Sequence, residues 1–132
     1  MDAEIMKFCR AFIHNVDGCA PIRDSQFMVL NIMCTKPGPH VPVSIAKELQ
    51  VSKAMISNHV AALMARGLIV RMPSPEDGRS VYLMPSKRGR DLFNKISGKN
   101  TEKMNLIKSH LGARNYETFI KLITQINQII DG

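Results

Sequence analysis

A chain of 132 residues can bury one hydrophobic core but is short for two independent domains. Its net charge of +7 at pH 7 indicates a polyanionic partner, such as a nucleic acid. No apolar run is long enough to span a membrane, and the acidic start Met1-Asp-Ala-Glu4 is unlike a secretory signal, so we expect a cytoplasmic protein.

The first two predicted elements are apolar helices. Residues 2–17 place an apolar stripe on one helical face before Gly18 ends the pattern. A second helix is predicted over residues 24–36, and Pro37-Gly-Pro39 stops it. The apolar positions are Ile5, Phe8, Cys9, Phe12, Ile13, Val16, Phe27, Val29, Leu30, Met33 and Cys34. The first stripe covers too much surface for a simple surface helix.

The next stretch has the pattern of a helix-turn-helix. Residues 43–50 predict a short helix, and a tight turn leads to a second helix that begins at Lys53 with Ser52 as its N-cap. Apolar residues recur along the second helix as one buried stripe, whereas its other face is small and hydrogen-bonding. The stripe consists of Ile56, Val60, Leu63 and Met64. Gly67 can adopt the positive φ of a C-terminal cap, so this helix should end there.

A hairpin and two long helices complete the predicted elements. Residues 68–72 and 80–84 alternate or run apolar like strands, and the polar stretch between them is typical of a reversing loop. Ser86 is the predicted cap of a helix that reaches about Leu111. A last helix, over residues 113–131, carries more apolar surface than one core contact requires, which predicts burial against another chain.

The basic charge is concentrated on the helix-turn-helix and the hairpin. The segment from Lys36 to Arg90 contains nine basic and three acidic residues, so it holds +6 of the net charge of +7. The four histidines lie far apart without a metal-binding motif, and neither a Gly-rich phosphate loop nor a nucleophile motif occurs. We therefore expect no catalytic residue, no metal and no cofactor. The odd number of cysteines, Cys9, Cys19 and Cys34, indicates reduced thiols.

Short motifs in the same segment follow the pattern of one family. Leu63, Gly67, Leu68, Ile69 and Arg71 form a Leu-x-x-x-Gly-Leu-Ile-x-Arg run, and Asp77 with Arg79 forms Asp-x-Arg in the predicted wing. Ser86-Lys-Arg-Gly89 stands where Thr-x-x-Gly is usual, and residues 22–30 are similar to Leu-Thr-x-x-Gln-Phe-x-Val-Leu. From about residue 20 to 95 the chain thus resembles the multiple-antibiotic-resistance regulator (MarR) family of winged helix-turn-helix transcription factors.

The resemblance implies a mainly α fold with a small β-hairpin. In a single domain, a winged helix-turn-helix DNA-binding region over residues 21–99 would be flanked by dimerisation helices at residues 1–20 and 100–132. The implied function is a homodimer that binds double-stranded DNA at a pseudo-palindromic operator and regulates transcription, as a repressor by family habit. A small-molecule effector is a further candidate partner, because such proteins often bind aromatic or phenolic compounds between the dimer helices and the winged domain. With only Tyr82 and Tyr116 and no tryptophan, the sequence identifies no pocket.

DNA contacts are predicted from helical face, charge and resemblance, because helix-turn-helix folds place the start of the second helix at the base edges. The predicted DNA-binding residues are Lys47, Ser52, Lys53, Ala54, Ser57, Asn58, His59, Arg71, Gly78 and Arg79. Asn58 stands where the family often has arginine, and asparagine favours adenine. Gly78 replaces a second wing arginine, which leaves Arg79 as the main minor-groove candidate, with Asp77 orienting the wing by resemblance. His59 fits helix packing as well as a phosphate contact.

Two other functions stay open. Cys9 resembles the position used by peroxide-sensing members of the family, so the first alternative is a thiol-based redox-sensing regulator. Its neighbours Phe8 and Phe12 instead favour a structural thiol, since no tyrosine pair near it could stabilise a thiolate. The second alternative is a protein-interaction module, a winged helix that has lost DNA binding and whose basic face meets an acidic protein.

Overall fold

The computed structural model of the chain describes residues 1–12, 22–74 and 81–132. The helices are α1 (Ala3–Arg10), α2 (Asp24–Thr35), α3 (Pro42–Leu49), α4 (Lys53–Ala65), α5 (Lys87–Leu111) and α6 (Ala113–Asp131), and the strands are β1 (Ile69–Pro73) and β2 (Val81–Pro85). The strands pair as an antiparallel hairpin, which confirms the predicted mainly α fold. The chain divides into two compact units, Met1–Ile96 and Ser97–Gly132.

The first helix is shorter in the described part of the chain than the sequence predicted. The Asp2 side chain caps α1 by accepting from the Glu4 N–H at 2.8 Å. At the other end, the Ala11 N–H bonds to the Phe8 carbonyl at 3.1 Å and the Phe12 N–H to the Cys9 carbonyl at 3.4 Å. These tighter i to i+3 bonds end the α-helix at Arg10. The predicted remainder, residues 13–17, falls in the range 13–21 that lies outside the described residues.

The hydrophobic core of the first unit is built around α2 and α4. Val29 and Leu30 from α2 meet Ile56 and Leu63 from α4, and all four side chains are fully buried. Other buried apolar residues in the described part of the chain are Ile22, Phe27, Ile32, Met33, Ile45, Ala46, Val60, Leu68, Ile69, Leu83, Leu92 and Ile96. The apolar spacing of both helices therefore predicted their inward faces, with Met64 and Cys34 only partly buried.

The hairpin begins one residue later than predicted. The Leu68 N–H bonds to the Leu63 carbonyl at 3.0 Å and so completes the end of α4, which leaves Ile69 as the first residue of the ladder. Pairing runs from Ile69 opposite Pro85 to Pro73 opposite Val81. A long-range contact extends the sheet, because the Leu83 N–H donates to the His40 carbonyl at 2.8 Å. The segment between α2 and α3 is thereby joined to β2.

The start of α5 is fixed to the end of α4 by Ser86. Its hydroxyl donates to the Gly67 carbonyl at 2.6 Å and accepts from the Gly89 N–H at 3.0 Å, which confirms the predicted cap. Gly89 lies so close to the neighbouring backbone that a Cβ there would be 2.0 Å from the Leu68 carbonyl oxygen. The Ser-x-x-Gly motif therefore sets the distance between α5 and the base of the hairpin.

The second unit contains the end of α5 and all of α6. The bounds of α6 are those predicted, and the described part of the chain buries none of its residues. Its large exposed apolar residues are Ile120, Leu122, Ile126, Ile129 and Ile130. Within this unit Lys108 lies over the Tyr116 ring, 5.5 Å from its centroid. No helix in the described ranges combines the length and apolar character that crossing a bilayer requires.

Candidate nucleic-acid interface

The turn between α3 and α4 is made by a left-handed glutamine. Gln50 has φ 57°, a conformation that favours glycine, and it ends α3 one residue before the predicted end. The Val51 N–H bonds to the Ala46 carbonyl at 3.0 Å and the Gln50 N–H to the Lys47 carbonyl at 3.2 Å, the two bonds of a Schellman motif. Ser52 then caps α4, as predicted, by accepting from the Met55 N–H at 3.1 Å.

The C-terminal end of α4 has the same kind of stop as α3, with glycine in the left-handed position. Gly67 has φ 71°, and its N–H bonds to the Met64 carbonyl at 2.9 Å. Together with the bond from Leu68 to Leu63, this forms a second Schellman motif. The Ser52 side chain therefore fixes the start of α4 and backbone bonds fix its end, which sets the length of the helix.

The two faces of α4 differ sharply in burial. Ile56 and Leu63 have no exposed surface and Val60 is 3% exposed, so this stripe anchors the helix in the core. The residues predicted to face bases are all exposed: Ser52, Lys53, Ala54, Ser57 and Asn58. Lys53 lies in the first turn, where its charge opposes the positive end of the helix dipole. A negative partner at this end would remove that unfavourable interaction.

Lys47 lies on the exposed side of α3, within its last turn. Its neighbour Glu48 pairs instead with the end of α2, through an ion pair between Glu48 Oε1 and Lys36 Nζ. Because Glu48 is paired with Lys36, Lys47 is the charged residue that α3 exposes beside the start of α4.

His59 is half-buried and faces the side of α4 that meets neighbouring helices. It lines a recess of about 80 Å³ together with Ser25 and Met28 of α2, Leu49 of α3, Val51 and Met55. This position favours the packing role over a phosphate contact, which stays a prediction.

Arg71 is exposed on β1. Of the predicted DNA-binding residues in the hairpin, it is the one that the structure describes. It lines a shallow groove with Pro42 at the start of α3 and Val60 of α4, so it lies on the same side as the helix-turn-helix. Asp77, Gly78 and Arg79 fall in residues 75–80, outside the described residues, and their predicted roles stay predictions.

The two described cysteines differ in environment. Cys9 is exposed, so the single chain does not provide the burial that its apolar neighbours suggested. Cys34 is half-buried near the end of α2, and burial raises the pKa of its thiol while the Arg90 guanidinium opposes that rise. Over residues 1–12, 22–74 and 81–132, no three His, Cys, Asp or Glu side chains come together as a metal site requires.

The sequence did not indicate a cavity that lies against the hairpin, within the first unit. Its volume is about 380 Å³. Apolar residues from α2 and both strands line it, with polar side chains from Cys34, Lys36, His40, Tyr82 and Arg90. Because these residues come from distant stretches of the chain, no local motif could have revealed the cavity.

Comparisons with known proteins agree with this geometry. A family model described as "MarR family" matches residues 22–81. No curated protein matches the chain. Among solved structures, FabT of Streptococcus pneumoniae in complex with DNA is 19% identical, with a TM-score of 0.80 over 97% of this chain and 96% of that chain. The repressor CouR bound to a 23-mer DNA duplex is 24% identical, with a TM-score of 0.70 over 94% and 89% of the two chains.

MarR itself is 22% identical, with a TM-score of 0.73 over 97% of this chain and 86% of that chain. At these identities the likeness to solved structures shows the fold, whereas the family model covers α2, α3, α4 and β1 and ends at Val81, the first residue of β2. Residues 22–81 of this chain therefore match the MarR family, and the chain has the winged helix-turn-helix fold of its solved structures.

Proposed function

We propose that this protein is a transcriptional regulator that binds operator DNA as a homodimer and represses transcription. The observation that carries the proposal is the exposed face of α4, where small and hydrogen-bonding side chains lie opposite a fully buried stripe. A helix held in this way can enter a major groove with Ser57 and Asn58 at the base edges. Solved proteins of this fold, FabT and CouR, have been captured on DNA, which is consistent with the proposal.

The distribution of charge supports DNA as the partner. Lys47, Lys53 and Arg71 are exposed around α4, and Glu48 is paired with Lys36. Exposed cations in this arrangement neutralise phosphates and release counterions, which gives an affinity that falls with salt. The base-facing side chains then supply sequence preference on top of that general attraction.

The proposed homodimer rests on unpartnered apolar surface near both ends of the chain. Ile129 and Ile130 of α6 are 79% and 74% exposed, and Ile5 of α1 is 54% exposed. Such surface on terminal helices is suited to a two-fold contact with a second copy. A symmetric dimer would present both copies of α4 to one side of the duplex, with half-sites about 10 bp apart or a multiple of that spacing.

Selection of bound fragments from random DNA tests the proposal. We expect enrichment of a motif with two-fold symmetry, with A·T pairs favoured at the position that Asn58 reads. Titration of the selected site and of scrambled DNA at several salt concentrations then separates specific binding from general attraction. If no sequence is enriched and both DNAs bind alike, the basic face does not read DNA and an acidic protein becomes the better partner.

A further inference from the structure

We propose that Met55 of α4 determines part of the DNA sequence preference, by contacting the C5 methyl group of a thymine in the major groove. This role rests on the proposed DNA-binding function and adds a specificity-determining residue to it. The contacted group can be removed from the DNA without changing any hydrogen bond between the bases, so the role can be tested directly.

Met55 is an apolar residue that the fold leaves exposed at the start of α4. It is the third residue of the helix, and its exposed fraction is 46%. Its N–H donates to the Ser52 hydroxyl at 3.1 Å, so the cap holds the backbone that carries the side chain. Helix-turn-helix proteins place this first turn at the base edges. When DNA is bound, the exposed part of Met55 should therefore border the major groove.

The covered part of the Met55 side chain anchors it to the neighbouring helices. It lines the recess of about 80 Å³ together with Met28 of α2 and Leu49 of α3. Because methionine is unbranched and has a flexible, polarisable side chain, its end can adapt to the position of a small apolar group. Met55 thus combines a side that packs against the protein with an adaptable end that is accessible to a partner.

Met55 and Asn58 are neighbours on the surface of α4. At about 3.6 residues per turn, residues three positions apart differ by about 60° around the helix axis, and their Cβ atoms are about 5–6 Å apart. Successive bases along a strand of B-DNA are about 3.4 Å apart, so this distance corresponds to roughly one to two base steps. We therefore expect the contacted thymine within about two base pairs of the adenine that Asn58 favours.

Thymine is the base that an apolar side chain can recognise in the major groove. Among the groups that base pairs present there, its C5 methyl group is the apolar one, and the others are hydrogen-bond donors or acceptors. Methionine has no donor, and its thioether is a weak acceptor, so it gains little from the other base edges. Contact between the methyl group and Met55 instead removes apolar surface of both from water. Met55 should therefore favour thymine.

Replacement of thymine by deoxyuridine tests the contact, because uracil lacks only the methyl group. The probe is the duplex enriched from random DNA, in which each thymine of the half-site is replaced in turn at both symmetry-related positions. We expect one such replacement to lower the affinity of the wild type about fourfold per half-site, or about 15-fold for the dimer, as burial of one methyl group at each site implies. Replacement of the other thymines should have little effect.

Variants of Met55 assign the effect to this side chain. Met55→Ala should abolish the difference between thymine and uracil, as should Met55→Gln, which keeps the length of the side chain. Both should bind scrambled DNA like the wild type, because loss of a neutral side chain does not change counterion release, and this binding also shows that the variants are folded. An effect of the methyl group on the DNA itself would persist in both variants.

Met28→Ala is the matched control. Met28 is 51% exposed and lines the same recess as Met55, but it belongs to α2. Its substitution should keep the full difference between thymine and uracil. If Met28→Ala removes that difference as completely as Met55→Ala does, or if the difference survives in Met55→Ala and Met55→Gln, the Met55 side chain does not recognise the methyl group.

Failure of this role can be distinguished from failure of the proposed function. The proposed function stands but the role of Met55 is overturned by an enriched site that has no thymine near the adenine, or that binds equally well with uracil at every thymine. The exposed surface of Met28 and Met55 is then a candidate contact for a protein partner. Absence of any enriched sequence overturns the proposed function, and the role of Met55 with it.

Discussion

Asn58 and Lys53 are both exposed on α4, but their side chains should contribute to DNA binding in different ways. Asn58→Ala removes a neutral group, so the dependence of affinity on salt should not change, while discrimination at one base pair per half-site falls by about 1–3 kcal/mol. Lys53→Gln removes a cation, so it should weaken binding to operator and random DNA alike. It should also flatten the logarithmic salt slope by about 0.9 for each phosphate that is no longer neutralised.

Titrations of both variants at several salt concentrations, with operator and scrambled DNA, measure the two quantities. Because a dimer carries Lys53 twice, Lys53→Gln should leave two phosphates without a cation. If Asn58→Ala changes the salt slope but not the sequence preference, α4 does not enter the groove with this face.

Among the residues that the structure describes, Gln50 is the one non-glycine residue with positive φ. It is exposed at the turn of the helix-turn-helix. In this conformation the Cβ of Gln50 lies close to the backbone, and Gln50→Gly should relieve that contact. The free energy of unfolding should rise by about 0.5–1 kcal/mol, a net value that includes the greater entropy of glycine in the unfolded chain. Urea denaturation measures the change. Gln50→Ala is the control, because alanine keeps Cβ and should not be stabilised; equal stabilisation by both variants would show that the side chain, not the backbone, is responsible.

Cys9 is exposed in the single chain, on the helix face that carries Phe8 and Phe12, whose ring centroids are 5.4 Å apart. If the proposed dimer covers this face, the thiol lies in apolar surroundings that disfavour a thiolate. We therefore expect peroxide to leave the DNA affinity of the wild type and of Cys9→Ser equally unchanged. Peroxide release of the wild type alone, in a gel-shift or anisotropy assay, would establish thiol sensing through Cys9.

At the scale of elements, two glycines of α5 make a matched pair. A Cβ at Gly89 would be 2.0 Å from the Leu68 carbonyl oxygen, whereas no atom of another described part of the chain lies within 4 Å of a Cβ at Gly98. Gly89→Ala must push α5 away from the hairpin and should lower the free energy of unfolding by about 1–3 kcal/mol or more. Gly98→Ala should raise it by about 0.5–1 kcal/mol, because alanine is the better helix former.

Thermal or urea unfolding of the two variants gives the comparison directly. Because the substitution and the helix are the same, helix propensity alone predicts stabilisation of both. A stable Gly89→Ala variant would therefore contradict the close contact between α5 and Leu68.

Elements whose ends depend on local residues were predictable from the sequence. Ser52 and Gly67 fix α4 through bonds to neighbours in the chain, and both were predicted as its caps. The first strand begins one residue later than predicted because the Leu68 N–H bonds to the end of α4. The alternation of apolar residues does not reveal that bond. The left-handed conformation of Gln50 was not predicted, because the residues that usually indicate it, glycine and asparagine, do not occur at this position.

The candidate site divides in the same way. The exposed face of α4 follows from the helical period of its buried stripe, so its residues could be named in advance. The cavity depends on Cys34, His40 and Arg90 meeting across long stretches of chain, and the bridge from His40 to Leu83 is equally non-local. Contacts of that kind arise from tertiary packing and leave no periodic pattern in the sequence.

At the scale of the whole molecule, the proposed dimer leads to a prediction about α6. A charged substitution on the side that contacts the second copy should prevent dimerisation, and one on the other side should not. Ile126 is 48% exposed in the single chain, and its neighbour Gln125 is exposed and polar. Ile126→Asp should convert the dimer to monomer or aggregate, since a carboxylate without a partner is costly to bury. Gln125→Asp is the control and should stay dimeric. Sedimentation equilibrium measures both, and a dimer that persists in Ile126→Asp would place the contact elsewhere.

The separation of faces on α4 also bears on how readily the protein can acquire a new target. Ala54, Ser57 and Asn58 are exposed and take no part in the core, so substitutions there should change stability by no more than about 0.5 kcal/mol. A library randomised at these three positions should therefore consist mostly of folded proteins that differ in the surface offered to DNA. Under the proposed function, a duplicated copy of the gene could diverge toward another operator through neutral steps, while the buried stripe keeps the scaffold unchanged.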